Sequence, residues 1–179
     1  MADVIRARDL MRTEFLSIRT EQSLGDAMTS LLETQRQAKL PSALMIVDSD
    51  GNYQGMLTAR ALIRLLVEAG EDRGEEQGRS VASVSPDAPD DLALLCVARE
   101  RLLWRVADVL LAGLPVVAPV VAPDDRLLTM IRRGVTMRFD FVPVVDAGKP
   151  VGFAPITAIF QAAAGIALTP EDEGVRFDR

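Results

Sequence analysis

The chain has 179 residues, of which 49% are apolar and 26% charged, and its net charge is −6. This composition is typical of a soluble globular protein, and the length suits one sizeable core or two small lobes. The negative charge argues against a nucleic-acid partner, because affinity for the phosphate backbone depends on clustered Lys and Arg. The chain contains no His, which removes the commonest general base and the commonest zinc ligand. An enzyme is therefore not expected.

The sequence predicts no targeting segment and no membrane insertion. The N-terminal stretch MADVIRARDL carries charges where a signal peptide needs an apolar run. The longest nearly uncharged run, residues 109–123, contains a glycine and three prolines and is shorter than the roughly 20 residues that a transmembrane helix needs. Cys96 is the single cysteine, so an intrachain disulfide is excluded. A cytoplasmic protein is expected.

In the first half of the chain, the pattern predicts a helix, two strands and a second helix. Apolar residues recur at helical spacing over 23–38, and Ser23 is a suitable N-cap. The apolar run ALMIVD at 43–48 is followed by a DG pair, typical of tight turns between strands, and then by YQGML. Helical spacing returns after Thr58, the second candidate N-cap.

The middle of the chain predicts a solvated loop and a long helix. Residues 71–90 are rich in acidic residues, Gly, Ser and Pro, which predicts an acidic flexible loop. From Asp91 to about Leu111 an apolar stripe at helical spacing predicts one helix about 30 Å long. Trp104 lies off this stripe, where it either anchors a partner or packs against the neighbouring repeat.

The second half of the chain repeats the first. DDRLLTMIRRGV predicts a helix, FVPVVD and PVGF predict two strands, and ITAIFQAAAG predicts a closing helix. Asp48 corresponds to Asp146 and Gly55 to Gly152, with one residue fewer in the second turn. The segments before each half also match, since ARDLM at 7–11 is similar to VADVL.

This ordered set, found twice, resembles the cystathionine-β-synthase (CBS) domain over about residues 4–70 and 104–166. A tandem pair of CBS domains is called a Bateman module. The resemblance implies an α/β (α+β) fold of two pseudo-twofold-related repeats, each a small sheet with flanking helices, plus the long inserted helix. The expected organisation is a first repeat at 1–70, the acidic loop at 71–90, the inserted helix at 91–105 leading into a second repeat at 106–168, and a polar tail at 169–179.

The resemblance also implies a function. Members of the family bind adenosine-containing ligands such as AMP, ATP or S-adenosylmethionine in clefts between the repeats, form homodimers, and regulate an attached or partner enzyme, channel or transporter. No attached domain is visible in this sequence, so the expected partner acts in trans. The expected regulatory ligand is an adenine nucleotide or S-adenosylmethionine, and no catalytic or metal-binding residue is expected.

The family motif G-h-h-T-x-x-D places a Thr at a helix start for phosphate or ribose and an Asp one turn later for the ribose hydroxyls. Helix N-termini favour anions, and a carboxylate accepts hydrogen bonds from a diol. The first repeat keeps Thr58, adds Arg60, which is suited to a phosphate, and has Ala61 in place of the Asp. The second repeat has Pro155 in place of the Thr and Ala158 in place of the Asp. The resemblance therefore favours the first repeat as the binding site.

Other candidate ligand contacts are carried over by position from the family, in which strand backbone reads the adenine edge. They are Ser17, Ile18, Leu44, Met45, Val117, Ala118, Phe141, Val142 and Pro143. Apolar residues in predicted strands are also ordinary core residues, so both interpretations stay open.

Two functions remain at this point. The first is a stand-alone regulatory module that senses an adenosine-containing ligand with Thr58 and Arg60. The second is a ligand-independent dimerisation or protein-interaction module whose nucleotide site has degenerated, as Ala61, Pro155 and Ala158 would indicate.

Overall fold

The computed structural model describes residues 4–36, 43–67, 99–111, 118–135 and 140–168. The loop predicted at 71–90, the first part of the helix predicted from Asp91, the candidate ligand contact Val117 and the tail predicted at 169–179 lie outside these residues. The helices are α1 (Ala7–Leu10), α2 (Leu24–Arg36), α3 (Ala59–Val67), α4 (Val106–Leu111), α5 (Leu127–Val135) and α6 (Ile156–Leu168). The strands are β1 (Leu16–Arg19), β2 (Ala43–Val47), β3 (Tyr53–Thr58), β4 (Phe141–Asp146) and β5 (Lys149–Pro155).

The chain divides into two compact units. Unit A comprises Glu14–Ala118 with Gly148–Pro150, and unit B comprises Met1–Thr13, Pro119–Ala147 and Val151–Arg179. Apart from Gly148–Pro150 around the start of β5, each unit therefore contains the helices and strands of one sequence repeat together with the leader segment of the other repeat. The leader VADVL, which forms α4, belongs to unit A, and the leader ARDLM, which contains α1, belongs to unit B.

Unit A is built on a three-stranded sheet in the order β1-β2-β3, with β1 parallel to β2 and β2 antiparallel to β3. All five residues of β2 are buried, as expected for a central strand with both faces covered. One face of the sheet carries the core of the unit, together with α2, α3 and α4. The core cluster consists of Ile18, Leu24, Ala27, Leu31, Leu44, Ile46, Leu57, Leu62, Leu65, Val106 and Val109.

The predicted turn after β2 is organised by the carboxylate of Asp48. Its Oδ1 accepts hydrogen bonds from the backbone N–H groups of Asp50, at 3.0 Å, and Asn52, at 2.8 Å. Its Oδ2 accepts from the side-chain amides of Asn52, at 3.0 Å, and Gln54, at 2.9 Å. These hydrogen bonds, led by the one from the Asn52 backbone, lower the pKa of Asp48 from its ordinary value of 3.8. Gly51, at φ 81°, takes the left-handed conformation that the turn requires.

The N-terminus of α2 follows its sequence signal. The Ser23 Oγ accepts a hydrogen bond from the Asp26 N–H at 3.1 Å, and the Ser23 N–H donates to Asp26 Oδ2 at 3.0 Å. This reciprocal pair is a capping box with Asp in the third position of the helix.

The prediction of one continuous helix from Asp91 to Leu111 is wrong in its described part. Residues 99–102 are helical, but the helix ends in a turn at Leu103 and Trp104, and α4 starts at Val106. The turn is fixed by α2, since the Leu24 N–H donates to the Trp104 carbonyl at 2.8 Å. Trp104 is half-buried and packs against the core cluster of unit A. Of the two roles proposed for Trp104, packing fits. Trp104 precedes the second repeat in sequence, and the core that it packs against is formed mostly by residues of the first repeat.

Unit B repeats this arrangement with a two-stranded sheet, β4 and β5. Val121 forms a parallel bridge to Val144, as β1 pairs with β2 in unit A. The core cluster of unit B consists of Ala7, Val121, Leu127, Met130, Val142, Val144, Ala154 and Ile159.

The leader segments close the two units in the same way. In unit B the Leu127 N–H donates to the Ile5 carbonyl at 3.0 Å, and in unit A the Leu24 N–H makes the corresponding bond to Trp104. These bonds satisfy N–H groups at the helix N-termini that have no partner within their helix. The matching pattern identifies the two units as copies of one architecture.

A close backbone approach explains the glycine of the second hairpin. Arg12 and Phe153 form an antiparallel bridge with hydrogen bonds of 2.9 and 3.0 Å. A Cβ atom at Gly152 would lie 2.5 Å from the Arg12 carbonyl oxygen, a distance that backbone atoms cannot accommodate without moving. None of the described helices is long and apolar enough to cross a membrane.

We expect Gly152→Ala to lower the free energy of unfolding by about 1–3 kcal/mol, the usual cost of overpacking. Gly165→Ala is the matched control, because a Cβ atom there meets nothing within 4 Å and the residue lies inside α6. This control should raise the free energy by about 0.5–1 kcal/mol through helix propensity. Urea unfolding measures both changes, and equal effects of the two variants would contradict the close approach at Arg12.

We expect Asp48→Asn to lower the melting midpoint at neutral pH, because the amide nitrogen cannot accept the hydrogen bonds of Asn52 and Gln54. The folded pKa of Asp48 is below its ordinary value, so its stabilisation is present above that value and is lost as the pH falls through the folded pKa. The difference from the wild type should therefore shrink in acid. Melting curves across the acid range test this, with Asp50→Asn as the control, and indistinguishable curves for the two variants would refute the role of Asp48.

Candidate functional site

The end of β3 and the start of α3 place Thr58 as predicted, at a helix N-terminus. The Thr58 Oγ1 accepts a hydrogen bond from the Ala61 N–H at 3.1 Å, so Thr58 is the N-cap of α3. Its side chain is half-buried. Because this bond uses a lone pair of the oxygen, the hydroxyl hydrogen remains able to donate to an anion or a sugar hydroxyl. The helix N-terminus adds a positive electrostatic potential at the same place.

Arg60 gives positive charge to the corner formed by the end of β3 and the start of α3, and Ala61 gives it none. Arg60 is exposed, and its guanidinium is suited to a phosphate group. Ala61 is half-buried and packs against the core of unit A, at the position where the family motif has a carboxylate. The corner therefore offers donors and positive charge, but residue 61 supplies no acceptor for a diol.

The sheet of unit A separates the other predicted contacts of the first repeat onto its two faces. Met45 pairs with Ser17 on one side and with Met56 on the other, and Thr58 pairs with Ala43. Since side chains alternate along a strand, these five residues share the face opposite the core. Met45 is 3% exposed and Met56 1% exposed, whereas Ser17 is exposed.

Ile18 and Leu44 lie on the core face and belong to the core cluster of unit A. Ala118, the remaining described contact of this set, is buried and is the last residue of the long segment of unit A. The structure thus brings Ser17, Met45 and Thr58 onto one face and places Ile18 and Leu44 on the other.

The predicted contacts of the second repeat lie in β4 of unit B. Val142 is fully buried in the core cluster of that unit. The Pro143 carbonyl accepts a hydrogen bond from the Val121 N–H at 3.0 Å, so strand pairing already uses this acceptor. Phe141 is half-buried, and its ring packs edge-on against Phe153 with 5.3 Å between centroids.

The corner of unit B that corresponds to Thr58 has different chemistry. Pro155 is buried at the end of β5 and has neither a hydroxyl nor a backbone N–H. The N–H of Ile156, the first residue of α6, donates to the Asp140 carbonyl at 2.9 Å. Two donors that an anion would need at this helix start are therefore missing or already used.

Sequence reasoning missed one polar group in unit A. Tyr53, at the start of β3, is half-buried, and its hydroxyl oxygen is fully buried with no hydrogen-bond partner among the described residues. Burial raises the pKa of Tyr53 above its ordinary value, so the phenol is neutral and able to donate. Tyr53 is the single tyrosine of the chain, and this could have drawn attention to its hydroxyl. The hairpin pattern, however, accounts for the residue without any polar role.

Within the described ranges, no group of three or more His, Cys, Asp or Glu residues is placed to hold a metal ion. Adjacent acidic residues act locally instead. The Asp125 carboxylate, for example, accepts a hydrogen bond from the Ala122 N–H at 2.9 Å, three residues before it.

Comparison with known sequences and structures identifies the fold. The family model of the CBS domain matches residues 7–68. No curated protein sequence matches the chain.

Solved structures match nearly the whole chain. A CBS-pair protein, CBSX2 from Arabidopsis thaliana, is 19% identical with a TM-score of 0.61, and the match covers 94% of this chain and 100% of that one. The CBS-domain containing protein ATU1752 from Agrobacterium tumefaciens is 16% identical with a TM-score of 0.58, over 90% of this chain and 96% of that one.

Two similar structures contain nucleotides. CBSX2 in complex with AMP has a TM-score of 0.57 at 20% identity, over 90% of this chain and 98% of that one. The cytosolic domain of the Mg²⁺ channel MgtE in complex with ATP has a TM-score of 0.58 at 19% identity, over 88% of this chain but 48% of that one. At these identities the likeness is one of fold. The model of the CBS domain thus matches residues 7–68, and the chain as a whole has the fold of the CBS-pair proteins.

Proposed function

We propose that this protein is a regulatory CBS-pair module that binds an adenosine-containing ligand in unit A and modulates a partner protein in trans. The observation that carries the proposal is the corner at Thr58. There a hydroxyl able to donate, an exposed Arg60 and the N-terminus of the nine-residue α3 come together. An anion such as a nucleotide phosphate is the ligand group that this combination favours.

The complexes of CBSX2 with AMP and of MgtE with ATP support this ligand class, because both proteins share the fold. Unit A is the proposed site because unit B has Pro155 and Ala158 at the equivalent positions. S-adenosylmethionine remains a candidate on the family resemblance.

The same proposal includes a homodimer in the cytoplasm and no catalysis by the chain itself. Ile63 of α3 and Phe160 of α6 occupy equivalent positions, since Thr58 corresponds to Pro155, and they are 63% and 69% exposed. A large apolar residue exposed at the same place in both units supports an association surface on these helices. The regulated partner is an enzyme or a transporter, in line with the MgtE domain being part of a magnesium channel.

The second candidate function is a dimerisation or protein-interaction module that binds no nucleotide. Ala61, Pro155 and Ala158 favour it, because together they remove both diol acceptors and one of the two threonines. The two candidates differ in one measurable property, which is saturable nucleotide binding.

We expect at least one of AMP, ADP, ATP and S-adenosylmethionine to raise the melting midpoint of the purified protein. A ligand at 100 times its Kd adds about 2.7 kcal/mol of stability. Thr58→Ala should abolish the shift and also lower the stability of the free protein by about 1 kcal/mol through loss of the cap. Thr58→Ser keeps the hydroxyl and is the matched control, which should retain the shift. A panel without any shift would favour the interaction module, and a shift retained in Thr58→Ala would refute the assignment of the site.

We expect Ala61→Asp to tighten the binding of AMP about tenfold, because it supplies the diol acceptor that the family motif has at this position. Asp at this place also completes a capping box with Thr58. Ala158→Asp, the equivalent change in unit B, should give no gain, since Pro155 leaves that corner without its donor. Calorimetry measures both, and unchanged affinity in a folded Ala61→Asp protein would show that the ligand is not held by its ribose here.

A further inference from the structure

Residues 99–105, which we call the strap, contact both α3 and α2 in unit A. The strap begins with the helical residues 99–102 and turns at Trp104, whose N–H donates to the Arg101 carbonyl at 2.9 Å. Residues 103–105 are not helical, although the apolar spacing predicts a continuous helix through them. Its contacts with α3 and α2 explain where it lies.

Arg101 joins the strap to the C-terminal end of α3. The residue is 6% exposed, and its Nη1 donates to the Leu65 carbonyl at 2.7 Å. Leu65 lies in the last described turn of α3, a place where side chains commonly donate to helix carbonyls. The guanidinium carbon lies 5.7 Å from the centroid of the Trp104 ring, within the range of a cation–π contact. The positive charge of Arg101 also complements the negative end of the helix dipole.

The other end of the strap joins the N-terminus of α2. Arg105 forms an antiparallel bridge with Ser23, and the Trp104 carbonyl accepts the Leu24 N–H at 2.8 Å. A Cβ atom at Gly25 would lie 3.2 Å from the Leu102 carbonyl oxygen, so the strap passes close to the first turn of α2. The strap therefore ties the end of one helix to the beginning of the other.

The sequence of unit B has no arginine at the position that corresponds to Arg101. The matching hydrogen bonds at the leaders align Trp104 with Ile5, and this register places Ala2 in the sequence at the position of Arg101. The corresponding register at the helices aligns Gly25 with Leu128, which is 56% exposed. Arg101 thus occurs in the unit that also has Thr58 and Arg60.

We propose that Arg101 is a positioning residue for the Thr58 end of α3, so that the strap and the ligand corner are energetically coupled. A nine-residue helix is about 13.5 Å long and moves largely as one body. Fixing its last turn limits both translation along its axis and rotation about it. Those two movements would otherwise misalign the first N–H groups and Arg60 with a bound anion. By thermodynamic reciprocity, a ligand at Thr58 stabilises the strap as much as the strap stabilises ligand binding.

Hydrogen exchange of the full chain without ligand tests the coupling itself. The reporter is the Ala61 amide, which donates to Thr58 at the opposite end of α3 from Arg101. Arg101→Ala should speed its exchange about tenfold, as expected from losing a hydrogen bond to a charged group. Arg101→Lys, which keeps the charge and a donor, should restore most of the protection. Arg99→Ala is the matched control, because Arg99 is an exposed residue of the same segment.

Faster exchange confined to the strap and the last turn of α3 in Arg101→Ala, with the Ala61 amide at its wild-type rate, would overturn the proposal. An equal effect of Arg99→Ala would also overturn it. If Arg101→Ala does not fold, Arg101→Gln, which keeps a shorter neutral donor, gives the same comparison.

The ligand half of the inference rests on the proposed function and uses AMP as the probe. Arg101→Ala should weaken AMP binding about tenfold, Arg101→Lys should restore it, and Arg99→Ala should leave it unchanged. Unchanged affinity in Arg101→Ala would overturn the coupling while leaving the ligand site intact. If AMP does not bind the wild-type protein, the proposed function fails at this probe, and the ligand-free exchange rates alone decide whether Arg101 positions the corner.

Discussion

Both compact units depend on a backbone hydrogen bond between residues far apart in the sequence. Leu24 donates to Trp104 in unit A, and Leu127 donates to Ile5 in unit B. In each case a leader segment completes the N-terminus of a helix that belongs to the other sequence repeat. Unit A is mainly the single stretch Glu14–Ala118, whereas unit B is assembled from three separate stretches, and each hydrogen bond closes a long loop of chain. Duplication of the sequence produced two similar units, but it did not produce two independently complete ones.

Because the two units have the same backbone arrangement, the differences between their side chains indicate which unit is suited to a ligand. Each unit places the end of a strand at the start of a helix, yet Thr58 caps α3 in unit A and Pro155 precedes α6 in unit B. The proposed ligand site follows from this difference in donors, because the backbone arrangement alone would favour both corners equally. Arg101 strengthens the distinction, since it contacts the far end of α3 and the sequence has Ala2 at the corresponding position of the other repeat.

The sequence predicted the features that depend on local chemistry. The hairpin turn at Asp48, the caps at Ser23 and Thr58 and the CBS fold follow from turn residues, capping residues and the repeated motif. It did not predict the end of the helix at Leu103, because a backbone bond from a distant helix overrides the apolar spacing there. The exchange of leader segments and the buried hydroxyl of Tyr53 also depend on non-local packing, which leaves no periodic signal. Ile18, Leu44 and Val142 have their side chains in the cores, so the ligand contact that family position predicts for them would use their backbone and stays a prediction.

The central claim is that unit A, at the start of α3, senses an adenosine-containing ligand. Backbone amide chemical shifts of the full chain, followed by NMR during titration with AMP, test it most directly. The proposed site predicts saturable shifts centred on the amides of Ala59, Arg60 and Ala61, with the amides of Ile156 and Ala158 unchanged. Shifts centred on α6 would place the ligand in the wrong unit, and an unperturbed spectrum at millimolar AMP would contradict adenosine sensing by this chain.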